Sequence, residues 1–328
     1  MHAVTVTEFG GPEVLAYAEV PVPAPDAAGV LIKSEAIGVN FIDTCFRSGR
    51  SPHSLPFRVG SEVCGTVIAV GTSVSTVQAG DRVASADAVG AYADYCVAPA
   101  DLVAHVPPAI GSDIAAAALS KGLTAHFLTK SVYQVKPGDT ILLHAGAGGV
   151  GMILTQWATS IGARAITTVS TPAKIGLSHQ AGAAHVLDYP GEPGEFGSLI
   201  RELTDGQGVA AVYDGVGRAT FDASLASLAV RGTLCLFGST SGPVPPVDPQ
   251  RLSDAGSVYL TRPVRSDFNR TYGEFAWRVT ELFHAITDGR ITVTVGARYP
   301  LAHAAQAHRD VESRRTHGSV VLIPQVDS

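Results

Sequence analysis

Residues 140–162 read TILLHAGAGGVGMILTQWATSIG: an apolar run, a glycine-dense turn, then apolar residues at helical spacing. Few folds admit that order. A continuously apolar strand is buried on both faces, which happens in parallel sheets covered by helices. Gly146, Gly148 and Gly151 set a G-x-G-x-x-G spacing, with Ala147, Gly149 and Val150 between them. The first glycine permits a tight turn, the second lets backbone approach a ligand, and the third lets helix and strand press together. N–H groups opening a helix lack intrahelical partners and carry partial positive charge, which suits a diphosphate. In this strand–turn–helix context the motif predicts a bound dinucleotide.

The same rhythm continues downstream. Strand ARAITTVS, helix PAKIGLSHQAG and strand AHVLDY follow, and later VAAVYDGVG and GTLCLFGSTSG. Apolar strands alternating with helices predict an α/β, doubly wound parallel sheet. Residues 1 to about 110 read differently, as short strands punctuated by Gly and Pro, which predicts a β-rich barrel or sandwich. Among these strands are AVTVTEF, GVLIKSEAIGVN, CGTVIAVG and AYADYCVAP. SDIAAAALSKGLTAHFLTK predicts a helix capped by Ser112. After residue 250 the cadence changes again. Residues 272–287 predict an amphipathic helix with Phe275, Val279, Leu282, Phe283 and Ile286 on one side. A strand RITVTVG, a helix LAHAAQAHRDVESR and a strand SVVLIP close the chain.

Composition narrows the function classes. The 328 residues are 46% hydrophobic and only 16% charged, enough for about two domains with large cores. Net charge is -6 and no run of Lys or Arg occurs, which argues against a nucleic-acid partner. The N-terminus shows no secretory signal. No apolar stretch reaches the roughly 18 residues a membrane span requires. Four scattered cysteines form no CxxC pair, so neither a local zinc site nor a disulfide framework is encoded, and a reducing cytoplasm is the expected compartment. The 11 histidines form no HExxH, and the reading for them is surface placement.

The coenzyme is read at the end of the second parallel strand. NAD-binding sheets usually place Asp or Glu there for the ribose 2′-hydroxyl. This chain reads TTVSTPAK, with no carboxylate. Ser170 and Thr171 accommodate a 2′-phosphate without repelling it, Lys174 is placed to pair with it, and Tyr189 is placed to flank the adenosine. These residues favour NADPH, and a protein holding a nicotinamide most often moves hydride.

In order along the chain, GGPEVL, AIGVNFIDTCFRSG, SLPFRVGSEVCGTV, AGDRV, SKGLTAHFL, AGAGGVG, VYDGVG and ESRRTHGSVVLIP resemble the zinc-free quinone oxidoreductases of the medium-chain dehydrogenase/reductase superfamily, the zeta-crystallin-like group. The resemblance implies a GroES-like catalytic domain, residues 1–122 and 263–328, interrupted by a Rossmann domain, residues 123–262, with an active cleft between them. It implies a homodimer that reduces quinones with NADPH, often by one-electron chemistry, without a metal. It further implies that residues 146–151 hold the pyrophosphate and that Arg314 joins Ser170, Lys174 and Tyr189 at the 2′-phosphate end. Asn40 and Thr124 would line the nicotinamide. Phe237 and Ser239 would meet the carboxamide through backbone atoms, with Leu260–Pro263 finishing that wall. Asp43 and Lys121 are the remaining polar candidates of the catalytic pocket.

Two departures bear on chemistry. Zinc-dependent relatives carry His in a GHE segment. Here it reads GSE, so Ser61 replaces the imidazole, and Glu62 reads as a buried structural carboxylate. An open zinc site is therefore not expected. Cys45 and Ser51 stand where relatives commonly place aromatic rings, which predicts a wider pocket with less stacking surface. Cys45 itself reads as an inert small residue. That pocket keeps a second activity in view, reduction of the double bond of enones or enoyl compounds with NADPH. A third reading is a non-catalytic NADPH-binding protein.

Overall fold

A six-stranded, wholly parallel sheet carries the glycine motif in the computed structural model, which describes residues 1–325. Its strands lie in the spatial order His185–Asp188, Arg164–Val169, Thr140–Leu143, Val209–Asp214, Leu228–Leu236, Tyr259–Thr261. Numbered along the chain that order is 3-2-1-4-5-6, the doubly wound arrangement in which strand order reverses beside the first strand. Ile141, Leu142 and Leu143 are fully buried at the centre of the sheet. Leu142, Ile166, Val212, Phe221 and Leu234 belong to one apolar cluster. The helix Gly149–Ile161 turns Met152, Ile153, Leu154 and Trp157 inward and ends at Gly162, whose φ of 97° suits glycine.

The chain divides into two units. Gly122–Arg270 contains the parallel sheet, and Met1–Lys121 joins the stretch from Thr271 onward. In the latter unit seven strands form a mostly antiparallel sheet, with Val295–Pro300 and Ser319–Ile323 supplied from the end of the chain. Ser319–Ile323 pairs with Gly29–Val39, so the C-terminal strand completes a sheet begun near the N-terminus. Val30, Ile32, Ile37, Val63, Val83, Tyr92, Leu301 and Leu322 share its core. Among the described residues no helix is long and apolar enough to cross a membrane.

Several expected boundaries move for identifiable reasons. Ser112 is the first residue of helix Ser112–Phe127, not its cap: the first turn closes from Ala115 N to the Gly111 carbonyl at 2.9 Å, and the Ser112 hydroxyl donates to Glu35 Oε2 at 2.5 Å. RITVTVG yields a strand only from Val295, where pairing with Ser319 begins, although Ile291 and Val293 are buried ahead of it. AYADYCVAP ladders only from Tyr95, the residue opposite Lys33.

Helix Tyr272–Thr287 begins where Thr271 Oγ1 accepts from Glu274 N at 3.2 Å. It buries Phe275, Val279, Leu282 and Phe283 as the periodicity predicts, whereas Ile286 is half-buried and Arg278 is buried. Leu282→Ala should lower stability by about 2–5 kcal/mol. His284→Ala, on the exposed side, should change it by less than about 0.5 kcal/mol. Denaturant titration of both variants checks this. Equal midpoints would show that the helix carries no core packing.

Candidate active site

In the first unit a buried carboxylate organises the surroundings of Asn40. Glu62, fully buried, accepts from Asn40 Nδ2 at 2.8 Å, Lys121 Nζ at 2.9 Å and Ser120 N at 2.7 Å. Lys121 Nζ also donates to Asn40 Oδ1 at 2.9 Å. The cluster exists because Gly38 faces Glu62 across the sheet: a Cβ there would collide with Glu62 Oε2 and with the Ala116 carbonyl. Asn40 has extended backbone and opens the helix Phe41–Arg47, with its N–H donated to Asp43 Oδ2 at 2.8 Å.

Three predicted residues, Asn40, Asp43 and Lys121, are thus joined through hydrogen bonds and Glu62. Burial pushes the Asp43 carboxyl up to about 7, against the lowering effects of the Asn40 N–H, the Tyr92 hydroxyl and Lys121. Thr124 lies one turn after Lys121 on the same helix, half-buried, and falls in the second unit. Cys45 and Ser51 are half-buried and linked through backbone, Ser51 N donating to Cys45 O at 3.1 Å. Burial also raises the Cys45 thiol, which is the direction of an inert residue. Among the described residues no group of three or more His, Cys, Asp or Glu is arranged to hold a metal.

In the second unit the glycine loop is built with a different division of labour from the one the motif suggests. The left-handed residue of the turn is Ala145, at φ 61°. Gly146 is required by packing, since a Cβ there would lie 2.6 Å from both Thr167 Cβ and Ser178 Oγ. Gly151 is required because a Cβ would strike the Ala145 carbonyl. Gly148 is different. A Cβ would meet nothing nearer than Ala145 O at 3.2 Å. Protein packing alone therefore explains glycine poorly at 148, whereas a ligand pressed against the backbone explains it well. Gly148 precedes helix Gly149–Ile161, whose first-turn N–H groups have no intrahelical acceptor. The loop fits a diphosphate.

At the end of the neighbouring strand, Lys174 Nζ lies 3.5 Å from Ser170 Oγ, and Thr171 is exposed. No carboxylate occurs between residues 170 and 174. Tyr189 follows the third strand with its ring stacked 6.3 Å from His144. Phe237 and Ser239 follow strand Leu228–Leu236. Their loop is tied to residues 214–217: Phe237 N donates to Asp214 O at 2.9 Å and Ser241 N to Val216 O at 2.8 Å. Arg314 is exposed at φ 58° and belongs to the first unit, apart in sequence from Ser170, Lys174 and Tyr189.

Sequence reasoning missed two buried polar networks, because it placed the histidines at the surface. His126, His144 and His308 are all buried. His144 contacts Thr168 Oγ1 at 2.9 Å and Ser224 Oγ at 3.0 Å, and burial lowers its basicity, holding it neutral. Ser224 donates to Asp214, which also accepts from Thr220 and from the N–H groups of Val216 and Gly217. The other network runs through Tyr92 and His308. The one available signal is that both His144 and Asp214 stand at the ends of apolar strands, where a polar side chain demands partners.

Residues 26–108 match the alcohol dehydrogenase GroES-like domain, and residues 149–278 match the zinc-binding dehydrogenase domain. A quinone oxidoreductase of Pseudomonas aeruginosa is 43% identical over 96% of this chain and 97% of its own length. A mycobacterial protein solved with NADPH superposes with a TM-score of 0.98 at 64% identity, covering 99% of this chain and 100% of its own. The Escherichia coli quinone oxidoreductase, also solved with NADPH, gives 0.95 at 41% identity, covering 99% and 100%. With likeness along its whole length and the 3-2-1-4-5-6 sheet, the chain belongs to the quinone oxidoreductases of the medium-chain dehydrogenase/reductase superfamily.

Proposed function

We propose that the chain reduces quinones with NADPH. The observation that carries the coenzyme choice is the end of the second parallel strand, where Ser170 and Lys174 stand together and a carboxylate is missing. Full-length similarity to quinone oxidoreductases, two of the compared structures holding NADPH, supports the same reading. The backbone of Gly146, Ala147, Gly148, Gly149, Val150 and Gly151 holds the diphosphate. Ser170, Lys174, Tyr189 and Arg314 hold the adenosine 2′-phosphate end. Asn40 and Thr124 line the nicotinamide, and backbone at Phe237 and Ser239 meets its carboxamide.

The coenzyme, when bound, supplies hydride. The protein's task is then orientation and exclusion of water. Asn40 suits that task because both ends of its amide are held, Nδ2 by Glu62 and Oδ1 by Lys121, so it forms a rigid wall. A quinone is already a strong electron acceptor, so this reading needs no Lewis acid to polarise it.

The residues 1–122 and 263–328 form the catalytic domain in this reading and 123–262 the coenzyme domain. A homodimer is supported by the second unit's edge strand Tyr259–Thr261, where Tyr259 is 62% exposed, with Val230 on the adjacent strand 73% exposed and Val264 also exposed. Cytoplasmic placement is supported by four unbridged cysteines, three of them buried.

NADPH consumption with 1,4-benzoquinone or 9,10-phenanthrenequinone should be readily measured. No quinone turnover, with saturation of an enone or enoyl thioester instead, would overturn the acceptor class. Lys174→Glu should weaken NADPH binding at least about tenfold, ~1.4 kcal/mol, with little effect on NADH. Unchanged NADPH affinity in calorimetry would assign phosphate recognition to another group.

A further inference from the structure

The first unit contains a cavity of about 530 Å³ whose wall includes Asp43, Phe46, His53, Phe57, Arg58 and Ser61. His53 stacks on Phe57 with ring centroids 4.0 Å apart at 28°, and Phe46 meets His53 edge-on at 5.3 Å. These rings provide flat surface that Cys45 and Ser51 do not. Asp43 brings a carboxyl to the same wall while remaining 1% exposed.

That carboxyl ends a chain of directed hydrogen bonds. Arg47 forks onto Glu312, its Nη1 at 3.1 Å from Oε2 and its Nη2 at 2.7 Å from Oε1. Arg47 Nη1 also lies 3.4 Å from His308 Nδ1. A guanidinium only donates, so Nδ1 accepts and the imidazole proton sits on Nε2. His308 Nε2 lies 3.1 Å from the Tyr92 hydroxyl, which therefore receives that proton and spends its own on Asp43 Oδ2 at 3.0 Å. Oδ2 also accepts the Asn40 N–H. With Oδ2 doubly committed as an acceptor, a proton on Asp43 resides on Oδ1.

Charge pairing points to that proton being present. Lys121 is matched by Glu62 and Arg47 by Glu312. Asp43 is the surplus carboxyl, buried without a cation of its own, and burial favours its neutral form. The other groups facing it are Tyr92 and, behind it, His308, which burial and Arg47 lower to about 3 and so keep neutral. His53 and Arg58 stand elsewhere on the cavity wall.

We propose that Asp43 is the proton donor to an oxygen of an acceptor bound in this cavity, and that Tyr92, His308 and Arg47 are positioning residues that fix which oxygen carries the proton. The proposal rests on the quinone-reductase reading. Hydride delivers two electrons and one proton to the quinone and leaves its second oxygen as a phenolate. The Asp43 O–H bond then breaks as a phenol O–H bond forms, and no electron moves in this step. A phenol, with a pKa of about 10, holds a proton more tightly than Asp43 at about 7, so the transfer runs downhill. The carboxylate regains its proton from solvent through the cavity. It does not regain it along the chain, because Arg47 gives up no proton.

Two readouts test this. In the coenzyme-free protein, the infrared band of a protonated carboxyl, identified by its loss in Asp43→Asn, should titrate near pH 7. Tyr92→Phe removes a bond that favours the carboxylate, so its midpoint should rise by about one unit. In turnover of 1,4-benzoquinone, kcat should fall as pH rises through the same midpoint, and Tyr92→Phe should move that limb upward in step. Asp43→Asn should flatten the limb and lower kcat about 10²-fold. An Asp43 already fully ionised at pH 5, or a limb unmoved in either variant, overturns the proposal. Absence of quinone turnover in the wild type sinks the acceptor reading instead, and the infrared titration still judges the proton on Asp43.

Discussion

A fully buried Glu62 has to be matched, and much of the first unit is arranged around matching it. Lys121, Asn40 and the Ser120 N–H reach it from a helix and a turn, while its own strand starts at that residue. Removing one partner of such a pair leaves an uncompensated charge, which costs about 3–5 kcal/mol. The match therefore fixes the turn at Asn40. The turn starts helix Phe41–Arg47, and that short helix carries Asp43 into the cavity wall and Arg47 toward Glu312. Gly38 is the backbone's concession to this arrangement.

The second unit solves a related problem with neutral groups. Asp214, buried at the end of a central strand, is satisfied by four donors drawn from the loop and helix that follow it. His144, beside the glycine loop, is held through Ser224 in the same network. The two strand ends that flank the reversal of strand order are thereby locked to each other, and the loop of residues 145–151 starts from a fixed point. Rigid backbone is what a cradle of N–H groups needs, because reorganisation at binding would be subtracted from affinity.

How much of this is legible in the sequence depends on the range of the interaction. The strand–glycine–helix unit at 140–162, the missing carboxylate after Val169 and the inward face of helix Tyr272–Thr287 are local patterns, and the residues alone reveal them. The start of the last parallel pair at Val295 is not local, because Ser319 sets it. Ala145 gives no warning that it adopts φ 61°, since glycines on its far side draw the attention. Arg47, Tyr92 and His308 lie tens to hundreds of residues apart, and no periodicity links them. His308 looks like one polar residue on an amphipathic helix until the fold brings Tyr92 beside it. Asn40, Asp43 and Lys121, all in one unit, are joined by hydrogen bonds and Glu62. Thr124 and Arg314 fall in the unit opposite to their predicted companions, and sequence gives no geometry for such groupings.

The pairing of Ser319–Ile323 with Gly29–Val39 has a consequence for biosynthesis. The first unit cannot finish its sheet until residues 319–323 have left the ribosome, so the edge of Gly29–Val39 waits through the synthesis of nearly 300 further residues. Closing a free loop of that span costs about 5 kcal/mol of chain entropy, and the cost grows only logarithmically with length. Gly122–Arg270, whose sheet is built entirely from strands within that stretch, can assemble during the wait. Once folded it replaces the middle of the loop with a single body, and the two ends of the chain then search a smaller space for each other.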